Sequence, residues 1–578
     1  MHRYKFSLSL AVLIGVALAP FLSSGALAAT TANSQSGLGV NLQNVNYYTQ
    51  EQPFLNILKT TPLTKSNVQS YQTLRGYTGN THEGAYVQTD ANGYPTTLTP
   101  SSGDPNPAPF TSVGVLFLAS LGQSNAGTGT TYPAGQYVVL YDGQGTLSVS
   151  GDAKLVSSSS GRDVFSVASP SAAGVGLWIT STDPNKTGNY IRNIRVVQAA
   201  YESLLNAGSI FNPTFLSVLQ NFRVLRGMQW LEIDNDGGVL TNWSQRPQLT
   251  DAGWGGPTGT PIEALLELCN ATGADCWLNI PHTANNDYIT QMATLAHTLL
   301  GTSQKAYVEF SNEVWNGTFP QAGYATAQGK LTWPNAGSAA DYGLNWYGMK
   351  AAQTCDIWKS VWGSDASRVV CVMGAQAAVA WTATQALECS LWTGAGNAPC
   401  SAHGIGAVAI APYFGYGEAQ AADLNTLFTN INTNLASVSA WEASYKAALA
   451  PFKLPYIAYE GGQSLVAISG GPAQALYIAA NRDPRMAAAY ATAFNDWKNN
   501  GGQTYVAYAD IAKPSNFGEW GALESLWDTV KPLSSAPPKW QALQNFISTN
   551  TCWWSGCVGA IGTSSTATPA APTNLTVK

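Results

Sequence analysis

Charge is scarce in this chain. Only 10% of its 578 residues are Asp, Glu, Lys or Arg, and 27 Lys and Arg against 33 Asp and Glu leave a net charge of −6. With no basic excess there is no electrostatic footprint for nucleic acid or for an anionic membrane surface. Histidine occurs five times and no His/Cys spacing matches a zinc site, so neither a metal nor an organic cofactor is implied. Past the N-terminal segment, no apolar run is long enough to cross a bilayer. What the chain does have is a 45% apolar content with 19 Trp and 26 Tyr, enough for a large core. Aromatic faces on a weakly charged surface suit neutral, polyhydroxylated ligands, although most of these rings belong to the core.

The first residues, "MHRYKFSLSLAVLIGVALAPFLSSGALAAT", place His2, Arg3 and Lys5 before an apolar stretch that ends in Ala26-Leu27-Ala28. That order reads as a secretory signal peptide over 1–28, hence an extracellular or periplasmic protein with no membrane attachment after cleavage. Export makes the eight Cys readable as disulfides. They fall in near pairs (Cys269/Cys276, Cys355/Cys371, Cys389/Cys400, Cys552/Cys557), and nearest-neighbour pairing is the expectation, though spacing alone does not decide connectivity.

"GLGVNL" opens the mature chain as a β-run, and "PFLNILKTT" follows as a helix with Pro53 in its first turn. From about 61 to 200, short alternating segments such as "QYVVLYDG", "GTLSVSG", "RDVFSV", "VGLWIT" and "YIRNIRVV" are punctuated by turns, the pattern of a β-sandwich. From 201 the period changes. β-Runs at 222–230, 275–282, 306–313, 367–376, 406–414, 454–462 and 504–510 alternate with helical stretches. With residues 38–42 they make eight strand–helix units, which predict an α/β fold: a closed (β/α)8 TIM barrel with the β-sandwich inserted between its first and second strands. An open doubly wound sheet is the alternative. The resulting divisions are a barrel start at 37–60, a sandwich at 61–200 and the rest of the barrel at 201–548. A Cys-containing segment at 549–560 precedes a Ser/Thr/Pro/Ala linker at 561–578, where "APTNLTV" is similar to the first strand of a fibronectin type III module.

Catalytic groups of such barrels project from the C-terminal ends of the strands. The fourth run ends in Asn312-Glu313, within "AYVEFSNEVWNG", and the seventh in Glu460, within "YIAYEGG". Two carboxyl groups in those places can face each other across the barrel mouth, one donating a proton and the other attacking as a carboxylate. Arg226 on the second strand and Tyr413 ending the sixth are the candidates to keep Glu460 ionised. Glu309 reads as a buried structural acid paired with Arg226, whereas Glu519 and Glu524 read as solvated.

"SNE" ending strand four, with a Glu ending strand seven, resembles the clan A glycoside hydrolases, which include the family 5 cellulases. "YVEFSNEVWN", "GVNL", "YIRNIRV", "WLNIPH" and "YEGG" are similar to segments of secreted bacterial proteins described as cellulase-like or cellulose-binding. The resemblance runs over most of 37–548. It implies a retaining hydrolase of β-linked polysaccharide, such as an endo-β-glucanase, with Glu313 as acid/base, Glu460 as nucleophile and Asn312 on the sugar 2-hydroxyl. In such an enzyme the two carboxyl groups stand about 5–5.5 Å apart. His282 would take a substrate-site position, Trp520 would lie beneath the sugar at the cleavage point, and Trp230 and Trp315 would line the cleft. The sixth run, "APYFGYG", departs from the family 5 pattern by lacking His-x-Tyr. The alternatives are a non-catalytic carbohydrate-binding protein on an enzyme scaffold and an exo-acting β-glycosidase; the oligomeric state is not legible.

Overall fold

The computed structural model describes residues 36–63, 70–75, 83–119, 132–234, 240–334, 336–416, 421–530, 533–550 and 552–557. The expected signal peptide and the tail at 561–578 lie outside the described residues.

Eight parallel strands close into a barrel in chain order: Leu38–Asn41, Val224–Arg226, Asp275–Ile280, Ala306–Phe310, Val369–Gly374, Ala407–Ile410, Tyr456–Ala458 and Tyr505–Ala507. Closure is made where Leu38 pairs with Tyr505 and Val40 with Leu225. Each strand is shorter than its apolar run, because the run continues, mostly beyond the strand's C-terminal end, into loops that leave the barrel ladder. The fourth strand stops at Phe310. The chain then leaves the strand through Ser311 and Glu313, both with left-handed backbone (φ 64° and 42°). Non-glycine residues in that region cost about 1–3 kcal/mol each and persist where the surroundings over-determine them.

Parity along the strands sorts side chains into layers. Leu225, Leu278, Val308 and Phe310 face outward and pack in the core shared with the helices. Val224, Trp277, Tyr307, Val372, Ala407, Ile457 and Val506 fill the interior as an apolar layer. Two residues further along, the inward positions become Asn41, Arg226, Asn279 and Glu309, all essentially without exposure. The barrel interior is thus apolar below and polar at its C-terminal end.

The helices begin and end at local signals. Ile262–Thr272 stops at Gly273 (φ 70°), Asn286–Leu299 starts where the Asn285 side chain accepts from Tyr288 N, and Pro484–Asn500 starts at the Asp483 cap and ends at Gly501 (φ 94°). "PFLNILKTT" is not an α-helix. It forms one 3-10 turn, Ile57–Thr60, capped by Asn56. Thr60 and Thr61 donate their hydroxyls back to the Ile57 and Leu58 carbonyls, which satisfies the turn locally and ends it.

Between the first two barrel strands lie two four-stranded antiparallel sheets. They share one apolar core: Val113, Phe117, Leu177 and Ile179 from one meet Tyr137, Val139, Phe165 and Val196 from the other. Three of the eight strands, Gln72–Leu74, Ser112–Leu118 and Ala153–Ser159, were not among the quoted segments. The four disulfides follow the nearest-neighbour pairing. Among the described residues, no helix is long and apolar enough to cross a membrane.

Trp230 corrects an expectation. It is fully buried among Phe54, Phe211 and Phe215, not in a cleft, and its Nε1 faces Glu51 Oε2 at 3.4 Å. The turn after the second strand tucks it back under the barrel wall, where its area is worth most. Trp230→Ala is expected to cost about 3–5 kcal/mol by thermal or urea unfolding. A residue lining a substrate cleft would show a far smaller loss.

Candidate active site

Arg226 is the hub of the polar layer. Its guanidinium is fully buried and touches four side chains. It donates to Glu309 Oε2 through Nε (3.2 Å) and Nη2 (2.9 Å), to Glu460 Oε2 and Asn41 Oδ1 through Nη1 (both 3.1 Å), and to Asn312 Oδ1 through Nη2 (2.7 Å). The rings of Trp277 and Tyr459 flank it at 5.5 and 5.0 Å. Glu309 Oε2 also accepts from Trp277 Nε1 and Asn279 Nδ2, each at 2.8 Å. Strand pairing sets Asn279 beside Glu309 and Asn41 beside Arg226, so the backbone ladder itself assembles this cluster.

Glu313 hangs over the cluster from the loop after strand four. Its Oε1 accepts from Tyr459 Oη and its Oε2 from Asn316 Nδ2, both at 2.8 Å. Burial raises the Glu313 pKa, while these two donors and Arg226 pull it back. Glu460 is pushed well above the ordinary carboxylate range, by burial first and by the charge of Glu313 second, with Arg226 opposing. Arg226, one of the two groups expected to keep Glu460 ionised, does pull in that direction but does not outweigh burial. One guanidinium, already paired with Glu309, faces several buried acids, so the Glu313/Glu460 pair as a whole retains protons.

Tyr413, Tyr508 and Trp520 form an aromatic group beside this pair, with centroids 5.4–6.4 Å apart. Burial, then the charge of Glu460, raises the pKa of both tyrosines, which locates them next to that carboxyl group. Trp520 is half-buried and donates its Nε1 to the Phe517 carbonyl at 2.9 Å. Trp315 is also half-buried, and its enclosed indole N–H has no acceptor among the described residues. His282 is buried edge-on against Tyr324 at 5.0 Å, and burial lowers its pKa. No described hydrogen bond links His282 to Arg226, Asn312, Glu313 or Glu460.

Glu519 is not solvated. It is buried, its pKa is pushed up to about 8 chiefly by desolvation, and its backbone carbonyl accepts from Gln463 Nε2 and Lys539 Nζ. Glu524 pairs with Arg482 at 2.6 Å. Residues that sequence reasoning missed are Tyr459, Asn41, Asn279, Tyr508 and Asp234. Tyr459 directly precedes Glu460, and the strand-seven register carried the signal: as an inward position above Ile457 it had to face the barrel axis. Asp234 sits in a loop that carries no period.

Desolvated acids, three of them buried and Asp234 half-buried, set a pH dependence of stability. Asp234 and Asp510 are raised to about 7 and Glu442 and Glu519 to about 8, each mainly by desolvation. Between the ordinary carboxylate range and those values the folded chain binds more protons than the unfolded one, so stability falls as pH rises through that window. Lys539 and Lys59, lowered by burial to about 7 and about 8, act oppositely above it. Thermal melts are expected to show the midpoint dropping from pH 5 to pH 7.5 and the decline flattening or reversing above pH 8. A midpoint that climbs between pH 5 and 7.5 would contradict these assignments.

No family model matches the chain, and no curated protein matches it. Solved structures similar to it include a GH5-4 broad-specificity endoglucanase from Clostridium longisporum, with 13% identity and a TM-score of 0.33, covering 59% of this chain and 86% of that one. A glycoside hydrolase family 26 endo-β-1,4-mannanase from Cellulomonas fimi has 12% identity and a TM-score of 0.31, covering 55% and 65%. A family 5 glycoside hydrolase from Prevotella bryantii B14 has 12% identity and a TM-score of 0.30, covering 58% and 85%.

Proposed function

We propose that the protein is a secreted, retaining glycoside hydrolase acting on a β-linked polysaccharide, with an endo-β-glucanase as the favoured case. The observation that carries this reading is the buried ion pair between Arg226 and Glu460 at 3.1 Å, with Glu313 held next to them by Tyr459. Within the coupled carboxyl pair we assign the first negative charge to Glu460, the member in direct contact with a cation, against the burial and the Glu313 charge that push its pKa the further up. Glu313, which has only neutral donors, keeps the proton.

That division gives each group a task. Glu313 protonates the glycosidic oxygen as the bond breaks, and Glu460 attacks the anomeric carbon to form a glycosyl-enzyme. Water then enters, Glu313 takes its proton, and the sugar leaves with its configuration retained. A free N–H of Asn312 donates to the 2-hydroxyl, an interaction that strengthens in the transition state. Tyr413, Tyr508 and Trp520 supply the aromatic wall on which a sugar ring stacks. The two antiparallel sheets are read as an inserted sandwich domain that braces the barrel; Ile57, Leu58 and Ala252 share their core.

The test is a panel of β-glucans, mannans and aryl glycosides, followed by reducing-end release and by NMR of the first-formed anomer. Retention of the β-anomer supports the reading, with Glu313→Gln and Glu460→Gln as controls. Inversion, or turnover undiminished in both variants, overturns it.

A further inference from the structure

Asn312 is gripped from both ends. Its Oδ1 accepts from Arg226 Nη2 at 2.7 Å, and its Nδ2 donates to Asp234 Oδ1 at 2.5 Å. Arg226 can only donate and an Asp234 carboxylate can only accept, so the two neighbours agree on one orientation of a side-chain amide that is otherwise free to flip. One N–H of Asn312 is left over, and no described residue accepts from it. Asp234 itself is well held. The preceding Ile233 is buried and Gln229 Nε2 reaches Asp234 Oδ2 at 3.4 Å. That same Nε2 donates to Tyr508 Oη at 3.1 Å, which ties this loop to the aromatic wall.

We infer that Asp234 is a positioning residue for the reaction proposed above: it locks the Asn312 amide so that its spare N–H meets the sugar 2-hydroxyl, and thereby makes the site demand an unsubstituted hydroxyl there. The inference rests on the hydrolase reading for its substrate, but the amide lock stands on geometry alone. The groups that act on Asp234 are Arg226, Glu313 and Glu309, and Asp234 in turn acts on Glu460 and Tyr508. Burial and Glu313 push its pKa up to about 7 against the pull of Arg226, so the acceptor on Asn312 weakens as the pH falls below neutral. A neutral carboxylic acid is a poorer acceptor than a carboxylate and can present its own proton to the amide instead.

Two measurements test this. With aryl β-glucoside and its 2-deoxy analogue, Asp234→Asn is expected to lower kcat on the parent sugar by ten- to a hundredfold with KM nearly unchanged, and to shrink the preference for the 2-hydroxyl by a similar factor. Asn312→Ala should show the same shrinkage, and adding Asp234→Asn to it should change the preference no further. A preference equal to wild type in Asp234→Asn overturns the inference, whatever happens to kcat. If the wild type turns over no glycoside, the hydrolase reading has failed, and the second measurement decides alone. The Asn312 side-chain amide, assigned by its loss in Asn312→Ala, should shift in 15N-edited NMR with a midpoint near neutral pH. That transition should vanish in Asp234→Asn. An amide signal that ignores pH between 5 and 8.5 refutes the lock.

Discussion

On the roles proposed above, Glu460→Gln is expected to remove glycoside turnover almost completely, by about 10^4-fold or more, since removing one member of a nucleophile unit costs nearly as much as removing the unit. Glu313→Gln should lose about 10²–10⁴-fold, the usual range for one general acid–base group. The loss in Glu313→Gln should be smaller on aryl glycosides with good leaving groups, which need no protonation to depart. Azide separates the two roles further. In Glu313→Ala it should intercept the glycosyl-enzyme from the β-face and give a β-glycosyl azide. In Glu460→Ala it should occupy the place of the missing carboxylate and give the α-azide. Product NMR reads the anomer directly, and the opposite assignment of anomers would exchange the roles of the two residues.

Arg226→Met carries the largest expected effect on stability. The guanidinium is fully buried and neutralises Glu309 and Glu460 together. Deleting one partner of a buried ion pair typically costs about 3–5 kcal/mol, because the partner charge remains without its counter-ion. Here two carboxyl groups are stranded. Glu460, whose pKa burial already raises, escapes by taking up a proton, so the penalty should be smallest near pH 5 and grow toward pH 8. Urea unfolding of wild type and variant at both pH values measures the difference. An equal loss at both would mean that packing, not charge, is what Arg226 supplies. A double variant that also carries Glu309→Gln should recover part of the stability at pH 8, since it removes one of the stranded charges.

Most of the architecture was legible, and for a definite reason. Barrel strands buried on both faces read as continuous apolar runs, and their alternation with amphipathic helices carries the chain order in which they pair. "DCWLNI" and "AYVEF" follow each other in chain order and pair as neighbours, and the expected pairing of Glu309 with Arg226 is what the barrel contains. Boundaries were less legible. The runs at 222–230 and 306–313 shrink to Val224–Arg226 and Ala306–Phe310, since the pattern of burial continues into loops where the ladder does not. Trp230 shows the same gap: an indole after a barrel strand can face the mouth or fold under the wall, and the sequence is identical in both cases.

The chain by itself determined the eight-unit order, the place of the antiparallel insertion and the carboxyl groups at the ends of the fourth and seventh runs, whereas the disulfide pairing was decided by the folded structure. These follow from periodicity and spacing, which are local properties. Only the tertiary structure decided that Tyr459 bonds Glu313, that Asp234 bonds Asn312, that Glu519 is buried and that one arginine serves several acids. Such contacts join residues tens to hundreds of positions apart, through loops without period. Their charge states depend on how much water the folded barrel excludes, a quantity that no local stretch of residues contains.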